Sequence, residues 1–361
     1  MVYRDFGTLD RPVSLLGFGC MRLPTLENGA IDEKEAIRII REAIDNGLNY
    51  VDTAYYYHDQ QSEVLVGKAL QDGYREKVYL ATKQPEYNIE KEEDFDNFLN
   101  TQLERLQTDH IDFYLLHALN RRTWDEKVVP FHVLDKMKKA KEDGRVRHLG
   151  FSFHDDFETY KEVIDYYPWD MSQIQMNILD VDNQATIEGM KYAASKGMAI
   201  VIMEPLRGGG LANAPASVQK IYDEYPEKRS AVEWALRFVY NFPEVSCVLS
   251  GVSTMEQLKD NIRIFEEAKP DVMSEEDLAM IDRVREEYNK LIKVPCTGCS
   301  YCIPCPKGVN IPRIFYLYNS GSMYGDYEMI KELYGFVLNA NADATQCIGC
   351  GACEKKCPQH I

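Results

Sequence analysis

Short apolar runs alternate with amphipathic stretches from about residue 12 to residue 267. The runs are Ser14–Met21, Tyr50–Asp52, Val78–Thr82, Ile111–Leu116, Val146–Phe151, the neighbourhood of Ile174, Ala199–Met203 and Val245–Ser250. They read as buried strands. Between them, apolar residues recur at helical spacing in Asp32–Asn46, Glu63–Leu70, Phe95–Leu106, Val133–Asp143, Phe157–Tyr166, Asn183–Lys196, Arg229–Tyr240 and Met255–Glu267. Asp32 followed by Glu35 marks a helix start, and Gly47 its stop. Eight strand–helix units predict an α/β fold, a closed (β/α)₈ barrel. The rival, a doubly wound open sheet, needs a glycine-rich phosphate turn after its first strand. Gly17-Phe-Gly19-Cys-Met-Arg22 has Arg where the third glycine belongs and no helix opening there, so the barrel is preferred.

Beyond the eighth unit, Ser274–Lys290 reads as one more helix, acidic in its first turn at Glu275, Glu276 and Asp277. Pro295 then breaks the pattern. The remainder, rich in Cys, Gly, Pro and Tyr, reads as having few regular elements. The charge breaks at the same place. The chain carries −17, but from Leu291 onward six Lys/Arg face five Asp/Glu, so the tail is +1 and residues 1–290 hold −18. Two folding units are expected, a barrel over 1–290 and a small module over 291–361. The acidic excess argues against nucleic acid or an anionic membrane as partner. No run approaches the roughly eighteen apolar residues of a membrane span, and the N-terminus shows no apolar signal core.

Eight of the ten cysteines fall in two groups near the end, unlike a disulfide framework. That pattern predicts metal ligation in a reducing, cytoplasmic setting. The second group, Cys347-x2-Cys350-x2-Cys353-x3-Cys357-Pro358, is the bacterial ferredoxin run for [4Fe–4S] clusters. The first, Cys296-x2-Cys299-x2-Cys302-x2-Cys305-Pro306, is one residue shorter in its last spacer. In such runs three cysteines bind one cluster and the fourth reaches the other. Cys296, Cys299, Cys302 and Cys357 would then hold one, and Cys347, Cys350, Cys353 and Cys305 the second. A zinc site would use paired knuckles separated by a longer loop, which fits poorly. Two clusters are expected; the shortened spacer keeps a single cluster as the alternative. Cys20 and Cys247 sit in strand-like runs and read as core residues.

Four polar residues stand at or just past the ends of apolar runs: Asp52, Tyr57, Lys83 and His117. In a barrel these ends form the active-site mouth. Any one alone is an ordinary rim residue; four in successive units make a constellation. A phenol titrates near pH 10 and needs help to move a proton at neutral pH. An adjacent ammonium lowers its pKa, and a carboxylate can hold that ammonium. Tyr57 is thus the expected general acid, Lys83 its tuner and Asp52 the anchor. His117 would orient a carbonyl oxygen by a hydrogen bond.

Asp52-Thr-Ala-Tyr-Tyr-Tyr57 with Ser62-Glu63, then Ala81-Thr-Lys83, then Leu115-Leu-His117, resembles the aldo-keto reductase superfamily over residues 1–270. The resemblance implies a barrel that binds NADPH, less often NADH, and passes hydride to or from a carbonyl carbon. It assigns the tetrad to Asp52, Tyr57, Lys83 and His117, and the nicotinamide-amide contacts to Ser152 and Gln173. The stretch Gly251–Asn261 corresponds to the grip on the adenosine phosphate, with Ser253, Gln257, Asp260 and Asn261 as candidates. Met203 stands where many members stack a tyrosine on the nicotinamide, and Arg207 with Gly208–Gly210 follows strand seven as a loop able to close over the pyrophosphate. His58 replaces the glycine usual after the tyrosine, Phe153 an asparagine and Gln257 an arginine. The run from Cys296 to Pro312 is similar to a branch of the family with a ferredoxin-like tail.

Hydride transfer moves two electrons and a cubane one, so joining them normally needs a flavin or a substrate that tolerates a radical. Three readings follow. The barrel reduces a small carbonyl, or oxidises an alcohol, beside structural clusters. Alternatively, the clusters relay electrons between a ferredoxin-like partner and the barrel. In the third, the chain is a nucleotide-binding redox sensor without turnover, a reading the intact tetrad disfavours.

Overall fold

The computed structural model describes residues 1–7, 9, 11–296, 302–325, 327–357 and 361. Among the described residues ten strands run β1 (Tyr3–Arg4), β2 (Val13–Ser14), β3 (Leu16–Gly19), β4 (Tyr50–Asp52), β5 (Tyr79–Gln84), β6 (Ile111–Leu119), β7 (Val146–Phe153), β8 (Met171–Gln175), β9 (Ala199–Met203) and β10 (Val245–Ser250). Strands β3 to β10 pair in sequence order, all parallel, and β10 closes on β3. Every expected apolar run supplies one barrel strand. The antiparallel pair β1–β2 was not among the expected elements; each strand is only two residues long, below the length at which alternation can be read.

The barrel interior is filled by side chains. Phe6, from the connection between β1 and β2, packs its ring against Tyr50 and Phe113 at centroid distances of 5.5 and 5.0 Å. Met171, Val201, Cys247 and Leu249 complete this buried layer. Gly17 belongs to it too. A Cβ there would lie 2.7 Å from Cys247 Sγ, so this glycine makes room inside the barrel and does not cradle phosphate. Cys20 and Cys247 are fully buried, as expected of core residues.

Two expected helix starts follow their side-chain signals. The Asp32 carboxylate accepts the Glu35 N–H to open Glu33–Asp45, and Ser274 with Asp277 forms a reciprocal capping box on Glu275–Leu291. The chain divides into two compact units, one of residues 1–205 and 235–273, the other of 206–234 and 274–361. The second unit holds the helices Ala216–Glu224, Glu275–Leu291, Ile311–Tyr324, Tyr327–Asn339 and Ala352–Lys356. Two of these correct the expectation of an irregular tail, with 14 residues in Ile311–Tyr324 and 13 in Tyr327–Asn339. Pro312 reads as a breaker in sequence but occupies the first turn, where its missing N–H costs nothing, and Asn310 caps it. Asn319 ties this helix to the preceding segment: its amide oxygen accepts the N–H groups of Lys293 and Val294, and its nitrogen donates to Val294 O at 2.7 Å. Among the described residues no helix is long and apolar enough to cross a membrane.

Candidate active site

Parallel strands in register bring Asp52 and Lys83 together from segments about thirty residues apart, and the adjacent β6 carries His117. Asp52 is the last residue of β4, paired with Ala81 of β5. Lys83 lies two residues beyond Ala81 in the same strand. The Lys83 ammonium donates to both Asp52 carboxylate oxygens at 2.7 and 2.8 Å, to Thr53 O at 2.7 Å and to Tyr57 Oη at 3.3 Å. Lys83 is 1% exposed. Burial disfavours its charge, but Asp52 and Tyr57 outweigh this and hold its pKa above the ordinary value. Thr53, whose carbonyl completes this coordination, carries no sequence signal because the contact is backbone.

Tyr57 departs from the expected direction. Burial is the larger influence and raises the phenol, while Lys83 pulls the other way without prevailing. The phenol therefore keeps its proton at neutral pH, the state a general acid requires. The turn after it is unusual: His58, Asp59 and Gln60 have φ values of 50, 51 and 69°. A glycine would take the first of these without cost. In its place the His58 ring supplies a contact, its Nε2 accepting the Leu23 N–H at 3.1 Å.

The His117 ring stands edge-on to Tyr57 at 6.0 Å. Burial, then Lys83 and His154, push it down to about 3, so the imidazole is neutral. Its Nδ1 is buried without a partner. Tyr87 lies 6.1 Å from the His117 ring and 5.7 Å from Tyr56, extending an aromatic wall beside the tetrad. Sequence reasoning missed Tyr87 and also Glu86, a fully buried carboxyl whose Oε2 accepts the His117 N–H at 2.8 Å. Neither lies in an apolar run, and no spacing rule marks them.

Ser152 on β7 pairs in register with Gln173 on β8, and Gln175 pairs with Met203 at the end of β9. Gln173 Oε1 is buried with no partner, while its nitrogen lies 3.8 Å from Met203 Sδ. Ser152 Oγ accepts the Ala118 N–H at 2.8 Å. Ser253 and Gln257 flank the Thr254-capped start of helix Met255–Glu266 and are exposed. Asp260 pairs with Arg263 at 2.9 Å. Asn261 turns inward, donating to Ser250 Oγ at 2.7 Å. Arg207 belongs to the second unit, where its guanidinium reaches Tyr324 Oη at 3.4 Å and lies against Met323.

The second unit also gathers thiols. Cys302, Cys305, Cys347, Cys350 and Cys353 line a single cavity of about 210 Å³, walled by Val309, Ile314 and Phe315. No disulfide joins any two of the nine described cysteines. Cys296 and Cys357 do not line this cavity, and Cys299 lies outside the described residues. Among the described residues no three His, Cys, Asp or Glu side chains are arranged to hold one metal ion. Soft thiols around an apolar cavity suit a cubane, whose corners are ligated separately.

Residues 15–286 match the aldo/keto reductase family, and residues 295–361 match a 4Fe-4S dicluster domain. Among curated proteins the chain is 26% identical to L-galactose dehydrogenase of Arabidopsis thaliana, over 80% of this chain and 95% of the plant enzyme. It is 30% identical to the uncharacterized oxidoreductase YrpG of Bacillus subtilis, over 74% of this chain and 91% of the other. Among solved structures, the holo form of an aldo-keto reductase from Bacillus halodurans superposes with a TM-score of 0.65. It shares 28% identity over 79% of this chain and 96% of that one. An aldo/keto reductase of Klebsiella pneumoniae, solved with NADP and acetate, shares the fold at 22% identity and a TM-score of 0.63, over 78% of this chain and 94% of that one. With an eight-stranded closed barrel and a thiol-rich C-terminal unit already in view, these matches place the chain in the aldo/keto reductase family, with a 4Fe-4S dicluster domain at its C-terminus.

Proposed function

We propose that this chain is an NAD(P)H-dependent oxidoreductase acting on a small carbonyl or alcohol at the barrel mouth, and that its tail holds two [4Fe–4S] clusters. The observation that carries the reading is the buried Lys83 ammonium, fixed by Asp52 and Thr53 and turned toward the Tyr57 hydroxyl. Bound NADPH supplies hydride to the carbonyl carbon. Tyr57 delivers the proton to the carbonyl oxygen, and Lys83 stabilises the phenolate that remains. Neutral His117 offers a ring N–H to the same oxygen. In the reverse direction the same groups take the proton from an alcohol.

The cofactor fits residues in the first unit. Gln173 Oε1 is a buried acceptor lacking a donor, which a carboxamide NH₂ would satisfy. Exposed Ser253 and Gln257 stand at a capped helix start, where backbone N–H groups and the helix dipole favour phosphate. NADP is the preferred form, by analogy with the Klebsiella protein, with NAD as the alternative where Gln257 stands for an arginine. For the clusters, one cavity gathers Cys305 with Cys347, Cys350 and Cys353, the set of the crossed assignment for the second one, and Cys302 borders it too. Cys296, Cys299, Cys302 and Cys357 are assigned to the first.

A second reading, electron relay from a ferredoxin-like partner, is favoured by the exposure of Cys347 and Cys350, which would leave a cluster edge open to another protein. Tyr57→Phe tests the main reading: NADPH should still bind while carbonyl turnover disappears, and retained turnover would overturn it. Adding NADPH to anoxic protein without substrate tests the relay. Bleaching of the cluster absorbance supports it, and an unchanged spectrum that a strong reductant still bleaches removes it.

A further inference from the structure

Strand adjacency explains how Asp52 and Lys83 meet, but not how β6 presents His117. Strand β6 shifts register against β7 between Leu116 and Leu119, and Ala118 within this bulge has a φ of 53°. Its pairing with β5 ends at Gln84–Leu116, so the next N–H groups have no ladder partner. Two side chains take them. Ala118 N–H donates to Ser152 Oγ, and His117 N–H donates to Glu86 Oε2, each at 2.8 Å.

Glu86 is a costly residue for that position. It is fully buried, its Oε1 has no partner, and it forms no ion pair among the described residues. Burial raises its pKa to about 8 against the backbone donors of His117 and Glu86 itself. Tyr87, Tyr114 and His117 are the titratable groups around it. A hydrophobic residue would avoid the desolvation penalty but would strand the His117 N–H. The carboxyl is held by the short turn Glu86–Asn88 directly after β5, so its reach to β6 is set by the strand that carries Lys83.

We propose that Glu86 is a positioning residue of this active site: by accepting the His117 N–H it fixes the bulge of β6, and so sets where the His117 ring meets the substrate oxygen. The inference rests on the carbonyl reading above. It makes Ser152 and Glu86 the two pins of one bulge, one also facing the nicotinamide and the other reaching back to the Lys83 strand.

The test uses full-length, cluster-loaded protein with NADPH and 4-nitrobenzaldehyde. Glu86→Met keeps the volume without an acceptor; it should lower kcat roughly 10- to 100-fold, the scale of a displaced proton-handling group. The NADPH Kd, read by fluorescence quenching, should stay within about twofold. Glu86→Gln retains an acceptor oxygen and should recover most of the loss. In a His117→Ala background, Glu86→Met should cost nothing further. An unchanged kcat in Glu86→Met, or the same fold-loss in both backgrounds, overturns the proposal. Where Glu86→Met fails to fold, hydrogen exchange at the His117 amide of the wild type decides: slow exchange is expected, and exchange at the rate of a free loop amide overturns it. Wild-type protein inactive on this and other carbonyls counts against the proposed function instead, and the amide measurement still judges Glu86.

Discussion

The barrel mouth and the cysteine-rich unit hold their reactive groups in opposite ways. Around Lys83 every partner is protein and at hydrogen-bond distance: two carboxylate oxygens and a carbonyl, all buried, and a partly buried phenol. The charges are paid for by the fold before any ligand arrives, which is the condition for electrostatic preorganisation. In the second unit, Cys347 and Cys350 are exposed and, with Cys302, Cys305 and Cys353, border one cavity. On the proposed reading their partner is a cluster, and in sites of this kind ligation and folding are linked. On that reading one site is made by burial, the other by what it binds.

If that contrast is right, Lys83→Met should have the largest effect. It strands the Asp52 carboxyl in the interior, and about 3–5 kcal/mol of stability should be lost along with NADPH-dependent turnover. Calorimetry with steady-state kinetics checks this; an unshifted melt would mean that the network is not prepaid. Cys353→Ser comes next, lowering iron content by about half if two clusters are present. It should destabilise the second unit while leaving the barrel's melting transition in place. A single transition moving as one would show that the two regions are not energetically separate.

A smaller effect separates burial from ligation by pH. Above pH 4.5 an unfolded chain releases the Glu86 proton, whereas the folded one keeps it until about 8. Wild-type stability should therefore fall as pH rises through that window, by at most about 1.4 kcal/mol per unit. Glu86→Gln lacks this linkage and should gain on the wild type between pH 5 and 8, a difference read from melting temperatures. Parallel pH curves would place Glu86 in a more hydrated setting than its burial indicates. The smallest effect expected is from Ser274→Ala, which removes one half of the capping box on Glu275–Leu291 and should cost about 1 kcal/mol.

Much of the barrel could be read before any coordinates. Each of its eight strands overlaps an expected apolar run, because strands buried on both faces are apolar without interruption, while β5, β6 and β7 extend two or three residues past theirs. Asp32 and Ser274 announced their helices because a cap is a contact over three residues. The helices Ile311–Tyr324 and Tyr327–Asn339 went unread, since proline and tyrosine-rich composition masked their periodicity and Pro312 is harmless only where Asn310 has already begun the turn. The short pair β1–β2 was too brief to show alternation. The candidates around Gly251–Asn261 divide on inspection: Ser253 and Gln257 face outward, whereas Asn261 binds Ser250 inside.

Local pattern thus fixes the number and order of the barrel strands, and their ends to within a few residues, because backbone period and capping act over a few positions. It also fixes the cysteine spacings, which are chain-length constraints on a bound cluster. Protonation belongs to the assembled molecule. Tyr57 is raised and His117 lowered mainly by burial among residues remote in sequence, a desolvation that no motif encodes. The hydrogen bond from His117 to Glu86 likewise exists only once β5 and β6 lie side by side and β6 bulges, joining residues 31 positions apart.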